Sequence, residues 1–262
     1  VALKRSTTLV DRLMTPKQGL VVLAYHRVGG GSGSEVDLDP AVFDDQLAYL
    51  AEHHRVLTLD DAVAGLAGGE SLDGAVVLTF DDGTPDWADV VVPALVRHRL
   101  PATCYVATRF VDAGEAFPWG APPISWSGLA DCAATGLVQV ESHGHGHLLL
   151  DRLSPAEVAD DLDRSIELIG ERLGRAPQHF AYPKAVPPSA PAEVQVRRRF
   201  RSAALGAGRV NRPDGFDPHR LWRTSVQVSD TPEWFRAKAA GGMRLEGELR
   251  HLVARVRYRG RQ

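Results

Sequence analysis

The fold this sequence predicts is an α/β barrel of parallel strands, and three observations predict it. Short apolar runs alternate with amphipathic helical stretches along the chain, the pattern of a parallel sheet covered by helices. His26, Asp81, Asp82, His143 and Pro183 each come directly after one of those apolar runs. Residues at the carboxyl ends of several strands meet at one face of a barrel, whereas an open doubly wound sheet gathers ligands only near its switch point. Four contributing strands therefore select the barrel. The third observation is size: 262 residues with 44% hydrophobic content suit a single barrel domain with a full core.

Taken in order, residues 1–18 form an N-terminal extension and Leu20–Tyr25 the first strand. Gly29-Gly30-Gly31-Ser32-Gly33-Ser34 then reads as a flexible loop just after His26. Pro40–His53 carries Phe43, Leu47 and Leu50 at helical spacing. Further strands are expected at Arg55–Thr58, Ala75–Phe80, Ala102–Val106, Val138–Glu141, His179–Tyr182, Ser202–Leu205 and Thr224–Val228. The rigid aromatic loop Phe117-Pro118-Trp119-Gly120-Ala121-Pro122-Pro123 leads to a helix at Ser127–Ala134, with Trp126 packing at its start. Trp119 is a candidate to shape a substrate groove. Ser154-Pro155-Ala156-Glu157 is a capping box with proline at the first helical position. Val158, Leu162, Ile166, Ile169 and Leu173 continue it as one stripe, and Gly174 is the C-cap. Residues 232–262 read as a helical tail, in which Leu245, Leu249, Leu252, Val253 and Val256 form a stripe and His251 lies off it on a solvated face.

Composition excludes several function classes. Thirty basic against 33 acidic residues, a net charge of −3, argues against nucleic acid as a partner. Cys104 and Cys132 read as buried free thiols, not a disulfide framework. No run of eighteen apolar residues offers a transmembrane helix. Val1-Ala2-Leu3-Lys4-Arg5 lacks a secretory apolar region and an initiator methionine, so a trimmed leader stays open. The expected character is that of a soluble protein, cytoplasmic or envelope-associated.

Two motifs carry the chemistry. Thr79-Phe80-Asp81-Asp82-Gly83 ends a buried strand with adjacent carboxylates. Side chains alternate along a strand, so the two aspartates point differently and can divide the work of metal ligand and proton acceptor. Alone, the pair also suits a helix cap followed by a turn. Glu141-Ser142-His143-Gly144-His145-Gly146-His147 follows the next but one strand. His143 and His147 are four positions apart, a spacing that shares one face of a helical turn, and His145 would then point to solvent or stand behind the ligands. With Asp82 they make three protein ligands and leave positions open for water and substrate. Such a set suits one divalent ion, Zn²⁺ first, with Co²⁺, Ni²⁺ or Fe²⁺ able to occupy it.

These two motifs and Phe180-Ala181-Tyr182-Pro183, in that order, resemble the polysaccharide deacetylases of the NodB-homology type, carbohydrate esterase family 4. The similarity runs from about Leu20 to Val228 and implies the distorted barrel of about seven strands of that family. It implies a metal-dependent hydrolase that removes the N-acetyl group of an amino sugar in a polysaccharide or glycoconjugate. By the family pattern Asp81 is the general base, and Tyr182 with Pro183 stands at the substrate, a backbone N–H near Tyr182 helping to bind the oxyanion. Tyr25-His26-Arg27-Val28 resembles the N-terminal element of the circularly permuted members, which makes His26 the preferred general acid over His251. Arg223 resembles a later family arginine that pairs with Asp81, though a surface position at a strand end fits as well. Lys184-Ala185 departs from the usual Tyr-Pro-Tyr-Gly continuation. Hydrolysis of another non-peptide C–N bond on the same fold, or a catalytically silent carbohydrate-binding barrel, are the alternatives; Asp81 beside Asp82 weighs against the silent one.

Overall fold

A computed structural model describes residues 18–258. The expected N-terminal extension, apart from Gln18, and the last four residues of the expected C-terminal tail lie outside the described residues, as does the stretch Val1 to Arg5 read for a leader. In chain order the first elements are Val21–Tyr25 (β1), Arg27–Val28 (β2), Asp37–Leu38 (β3), Pro40–His53 (α1), Arg55–Val56 (β4) and Leu59–Ala67 (α2). Ala75–Asp82 (β5) leads through a π-turn into Val92–His98 (α3), followed by Ala102–Val106 (β6), Thr108–Ala113 (α4), Trp126–Ala134 (α5) and Val138–Ser142 (β7). Pro155–Leu173 (α6), His179–Ala181 (β8), Ala190–Arg199 (α7), Ser202–Gly206 (β9), Leu221–Ser225 (β10), Pro232–Ala239 (α8) and Arg244–Tyr258 (α9) complete the order.

Strands β1, β10, β9, β8, β7, β6 and β5 pair in that sequence, all in parallel, and β5 pairs back onto β1. The result is a closed seven-stranded (β/α) barrel, with Arg55–Val56 an outlying pair of residues on the amino end of β5. Alternation along β5 shows the two layers. Ala75 and Val77 pack in the barrel interior with Val22, Tyr105, Ala181 and Ala204, where α2 plugs the lower end with Leu59, Ala62 and Leu66. Val76, Leu78 and Phe80 face outward against Phe43 and Leu47 of α1 and Leu95 of α3.

The helix boundaries follow their caps. Asp39 accepts from the N–H groups of Ala41 and Val42 ahead of Pro40 at the first position of α1. Ser154 and Glu157 form the reciprocal capping box of α6, and Gly174 ends it with a left-handed φ of 73°. Trp126 opens α5 and donates its indole N–H to Asp112 at 3.3 Å. Cys104 and Cys132 are buried free thiols.

Two expectations need correcting. The last strand is Leu221–Ser225, not Thr224–Val228, because Arg223 lies inside it and interrupts the apolar run by which a buried strand is recognised. The Gly29–Ser34 loop is tied down: β2 and β3 bracket it, and Asp37 accepts from the N–H groups of Gly30 and Ser32 and from the Ser32 hydroxyl. In the C-terminal segment α8 and α9 are packed, with Phe235, Lys238, Ala239, Met243 and Glu246 buried. No helix among the described residues is long and apolar enough to cross a membrane.

Candidate active site

A cavity of about 230 Å³ opens at the carboxyl ends of the strands. His26 after β1, Asp81 and Asp82 at the end of β5, His143 and His147 after β7, Lys184 and Ala185 after β8, Ala207 and Gly208 after β9, and Thr224 and Ser225 of β10 all line it. Six described non-glycine residues have positive φ; five of them, Asp82, His147, Lys184, Ala185 and Met243, line this cavity. Left-handed backbone is costly for such residues, and its concentration here marks a site whose surroundings over-determine it.

Strand alternation points Asp81 inward and would send Asp82 out. The left-handed backbone of Asp82, φ 80°, breaks that alternation, so both carboxylates reach the cavity. Gly83 follows with φ 101°, and a Cβ there would lie 2.9 Å from Val106 Cγ2. Asp81 receives a two-pronged contact from Arg223, Nη1 to Oδ1 at 2.6 Å and Nη2 to Oδ2 at 2.8 Å, with both side chains buried. Burial alone, the largest single effect, would raise the Asp81 pKa; the charge and hydrogen bonds of Arg223 together with the nearby His143 and His26 outweigh it and hold the carboxyl below its usual range. Arg223 thus occupies the paired position and not the surface one.

Asp82, His143 and His147 each offer one ligand atom, all within 4.8 Å of one another. His147 Nε2 is 3.3 Å and His143 Nε2 3.7 Å from Asp82 Oδ1. His143 donates its Nδ1–H to the Ala181 carbonyl at 2.7 Å, which fixes the tautomer and leaves Nε2 as the free lone pair. Burial pushes His143 down to about 4, so it is neutral at pH 7, as a ligand must be. Burial would raise Asp82, but the hydrogen bond and charge of His147 hold it well below the usual carboxylate range. The chemistry of this donor set, two imidazoles and one carboxylate, fits a divalent ion.

The histidines do not meet on a helical turn as expected. His143 stands directly after β7 and His147 in the loop beyond, at φ 54°. Asp161 of α6 makes that loop, accepting from His145 N–H at 3.0 Å and Gly146 N–H at 2.7 Å. A Cβ at Gly144 would lie 2.7 Å from the same carboxylate. His145 turns away and hydrogen-bonds Thr108 Oγ1 at 3.0 Å. Sequence reasoning missed Asp161, though an acid beside Val158, Leu162 and Ser165 on the buried face of a helix was the available signal. It also missed Asp86, which accepts from Val28 N–H at 2.8 Å and anchors the segment after His26.

His26 Nε2 is 4.0 Å from Asp81 Oδ2. His251 is not on a solvated face: α9 turns its polar side inward, and His251 lines the same cavity, its ring 6.3 Å edge-on from Trp222. Tyr182 does not present an N–H to the cavity. That N–H donates to the Ala204 carbonyl at 3.1 Å, the ring packs among Phe180 and Phe200, and Pro183 is buried beside it. Lys184 and Ala185 line the cavity in their place. Trp119 is exposed, stacked 4.8 Å from Phe117, 5.6 Å from the His147 ring and under the Lys184 ammonium at 4.6 Å.

Known proteins are similar to this chain in sequence and in fold. The poly-β-1,6-N-acetyl-D-glucosamine N-deacetylase of Staphylococcus aureus is 27% identical over 195 residues, 66% of this chain and 67% of that one. Among solved structures, IcaB from Ammonifex degensii superposes with a TM-score of 0.74 at 28% identity, covering 86% of this chain and 98% of its own. The Streptococcus pyogenes deacetylase PplD shares the fold at the same TM-score and 20% identity, over 86% of this chain and 99% of that one. The polysaccharide deacetylase family model matches residues 68–198, half of the chain, from just before β5 to α7, and with it the chain belongs to the polysaccharide deacetylases of carbohydrate esterase family 4.

Proposed function

We propose that this protein is a metal-dependent N-deacetylase that hydrolyses the acetamide of an N-acetylated amino sugar within a glycan. The observation that carries this reading is the placing of Asp81, buried and clamped by Arg223, next to the Asp82, His143 and His147 group in one small cavity. The cavity, about 230 Å³, falls below the roughly 300–1,000 Å³ of sites that engulf drug-sized ligands, which suits one sugar unit of a longer chain. The relatedness to a poly-N-acetylglucosamine deacetylase supports the same substrate class.

Asp82, His143 and His147 would hold the ion, which supplies an acidified water and polarises the acyl oxygen. Asp81 accepts the proton of the attacking water, a role that needs an ionised carboxylate near the ligands but not among them. Arg223 keeps it ionised and aims it. His26, its Nε2 4.0 Å from Asp81 Oδ2 in the same cavity, donates a proton to the departing amine; His251 lines the cavity as the other candidate for that step. Trp119 offers an exposed ring to a sugar face at the rim, beside Lys184. Tyr182 and Pro183 act through the turn they anchor, which presents Lys184 and Ala185 to the substrate.

The test is acetate release from β-1,6-linked N-acetylglucosamine oligomers, measured together with metal content. Stoichiometric divalent metal and acetate release that a chelator abolishes are the expected result. Metal bound without acetate release from these or other N-acetylated glycans would move the reading to another C–N substrate.

A further inference from the structure

The turn after β8 carries a cation that the hydrolytic step itself does not use. Lys184 stands at φ 57° and ψ 13°, and Ala185 after it at φ 55°, left-handed values that suit glycine and cost a residue with a Cβ. The turn is held in place all the same. Ala185 donates its N–H to the Tyr182 carbonyl at 2.9 Å. Gly206 of β9 makes room for it, since a Cβ there would lie 2.8 Å from Ala185 Cβ. Unfavourable backbone that its surroundings maintain points to function, and here it brings a lysine into the cavity lining.

The Lys184 ammonium lies 4.6 Å from the centre of the Trp119 ring. Trp119 is itself positioned, stacked 15° off parallel on Phe117, with its ring 5.6 Å from that of His147. An aromatic face attracts an ammonium without neutralising it. The other lysine and arginine side chains of the lining are engaged: Arg223 by Asp81, Lys238 by Asp230 and Glu246, and Arg250 by Glu246. Lys184 makes no ion pair among the described residues. Its side chain reaches solvent, yet desolvation by the surrounding protein lowers its pKa, with Asp82 and Asp81 opposing through space. Those two carboxylates have nearer partners, Arg223 for Asp81 and the ligand group for Asp82. A positive charge is thus left uncompensated beside the ligand group.

We propose that Lys184 is a specificity-determining residue: it favours glycans in which the unit next to the hydrolysed one bears a carboxylate, and disfavours those in which that unit is a free, protonated amine. This rests on the N-deacetylase reading above. The cavity, about 230 Å³, takes one sugar unit, so a charge beside the exposed Trp119 meets the neighbouring unit. One ammonium attracts a carboxylate and repels another ammonium, and so supplies both halves of the discrimination. Removal of one acetyl group would then disfavour reaction at the adjoining unit and space the free amines along the chain.

The test uses β-1,6-linked N-acetylglucosamine tetramers that differ in one substituent on an inner unit: acetamide, free amine or N-succinyl, hence neutral, positive or negative. Two quantities are measured on the metal-loaded full chain, the dissociation constant from tryptophan fluorescence at mixing and kcat/KM for acetate release. Affinity should fall in the order N-succinyl, acetamide, amine, with roughly tenfold or more between the first and the last. Lys184→Arg should keep that order, Lys184→Met should flatten it and Lys184→Glu should reverse it. A lysine that only braces Trp119 would instead shift all three affinities alike on substitution. Equal binding of the three oligomers, no binding of any, or the native order persisting in Lys184→Met would overturn the proposal. Binding that follows charge and depends on Lys184, with no acetate released from any oligomer, upholds it and overturns the N-deacetylase reading instead.

Discussion

Asp81 and Asp82 are neighbours in sequence and both buried, yet each is kept ionised by a different partner: a guanidinium for Asp81, imidazoles for Asp82. Their substitutions should therefore separate. Asp81→Asn is expected to keep stoichiometric metal and lose hydrolysis, because a carboxamide cannot accept the proton of water. Asp82→Asn and His143→Ala should lose metal and activity together; metal analysis beside acetate release reads both. Arg223→Met leaves Asp81 buried without its counter-charge, and breaking a buried pair from one side costs about 3–5 kcal/mol, measurable by denaturant unfolding. His26→Ala should lower the rate roughly 10²–10⁴-fold, the usual size of general acid catalysis, with metal content unchanged. If His251→Ala does this instead, the proton comes from α9.

At the level of elements, strands buried on both faces announced themselves as apolar runs, and β1, β5, β6 and β7 lie within two residues of where those runs place them. The capped helix α6 was legible at both ends for the same local reason. Long-range polar contacts were less legible. β10 hides a buried arginine whose partner lies on β5, a pairing no local pattern displays. The ligand loop after β7 imitates a helical turn by spacing alone, while its shape comes from Asp161 on α6. His145, between the two ligands, is likewise placed by Thr108 and not by its neighbours.

The lower end of the barrel adds a pH dependence at this same scale. His179 opens β8 fully buried, with Nε2 3.0 Å from Asp60 and Nδ1 2.8 Å from Ser202 Oγ. Burial depresses its pKa despite the Asp60 carboxylate. An imidazole depressed on folding contributes stability above its ordinary range near 6.5, and that contribution is lost as pH falls through this range toward the folded value. The melting temperature of His179→Gln should consequently fall less steeply than that of the native protein between about pH 7 and pH 5. Parallel curves would mean that His179 keeps its ordinary pKa in the fold.

For the molecule as a whole, closure of the barrel rests on its first strand, which lies between β5 and β10. Val22 finds its partner Arg223 only when nearly the whole chain is present. Contacts so distant in sequence make folding slow, because loop-closure entropy precedes their reward. During synthesis the strands through β9 would exist with β1 and β9 as open, apolar edges, the condition that invites pairing between chains. A chain ending at Gly215 lacks β10 and the arginine that neutralises Asp81, and is expected to be degraded in limited proteolysis or to aggregate. The full chain should resist the protease as one cooperative unit. The last strand to leave the ribosome therefore does two jobs at once: β10 closes the barrel and covers both open edges, β1 and β9.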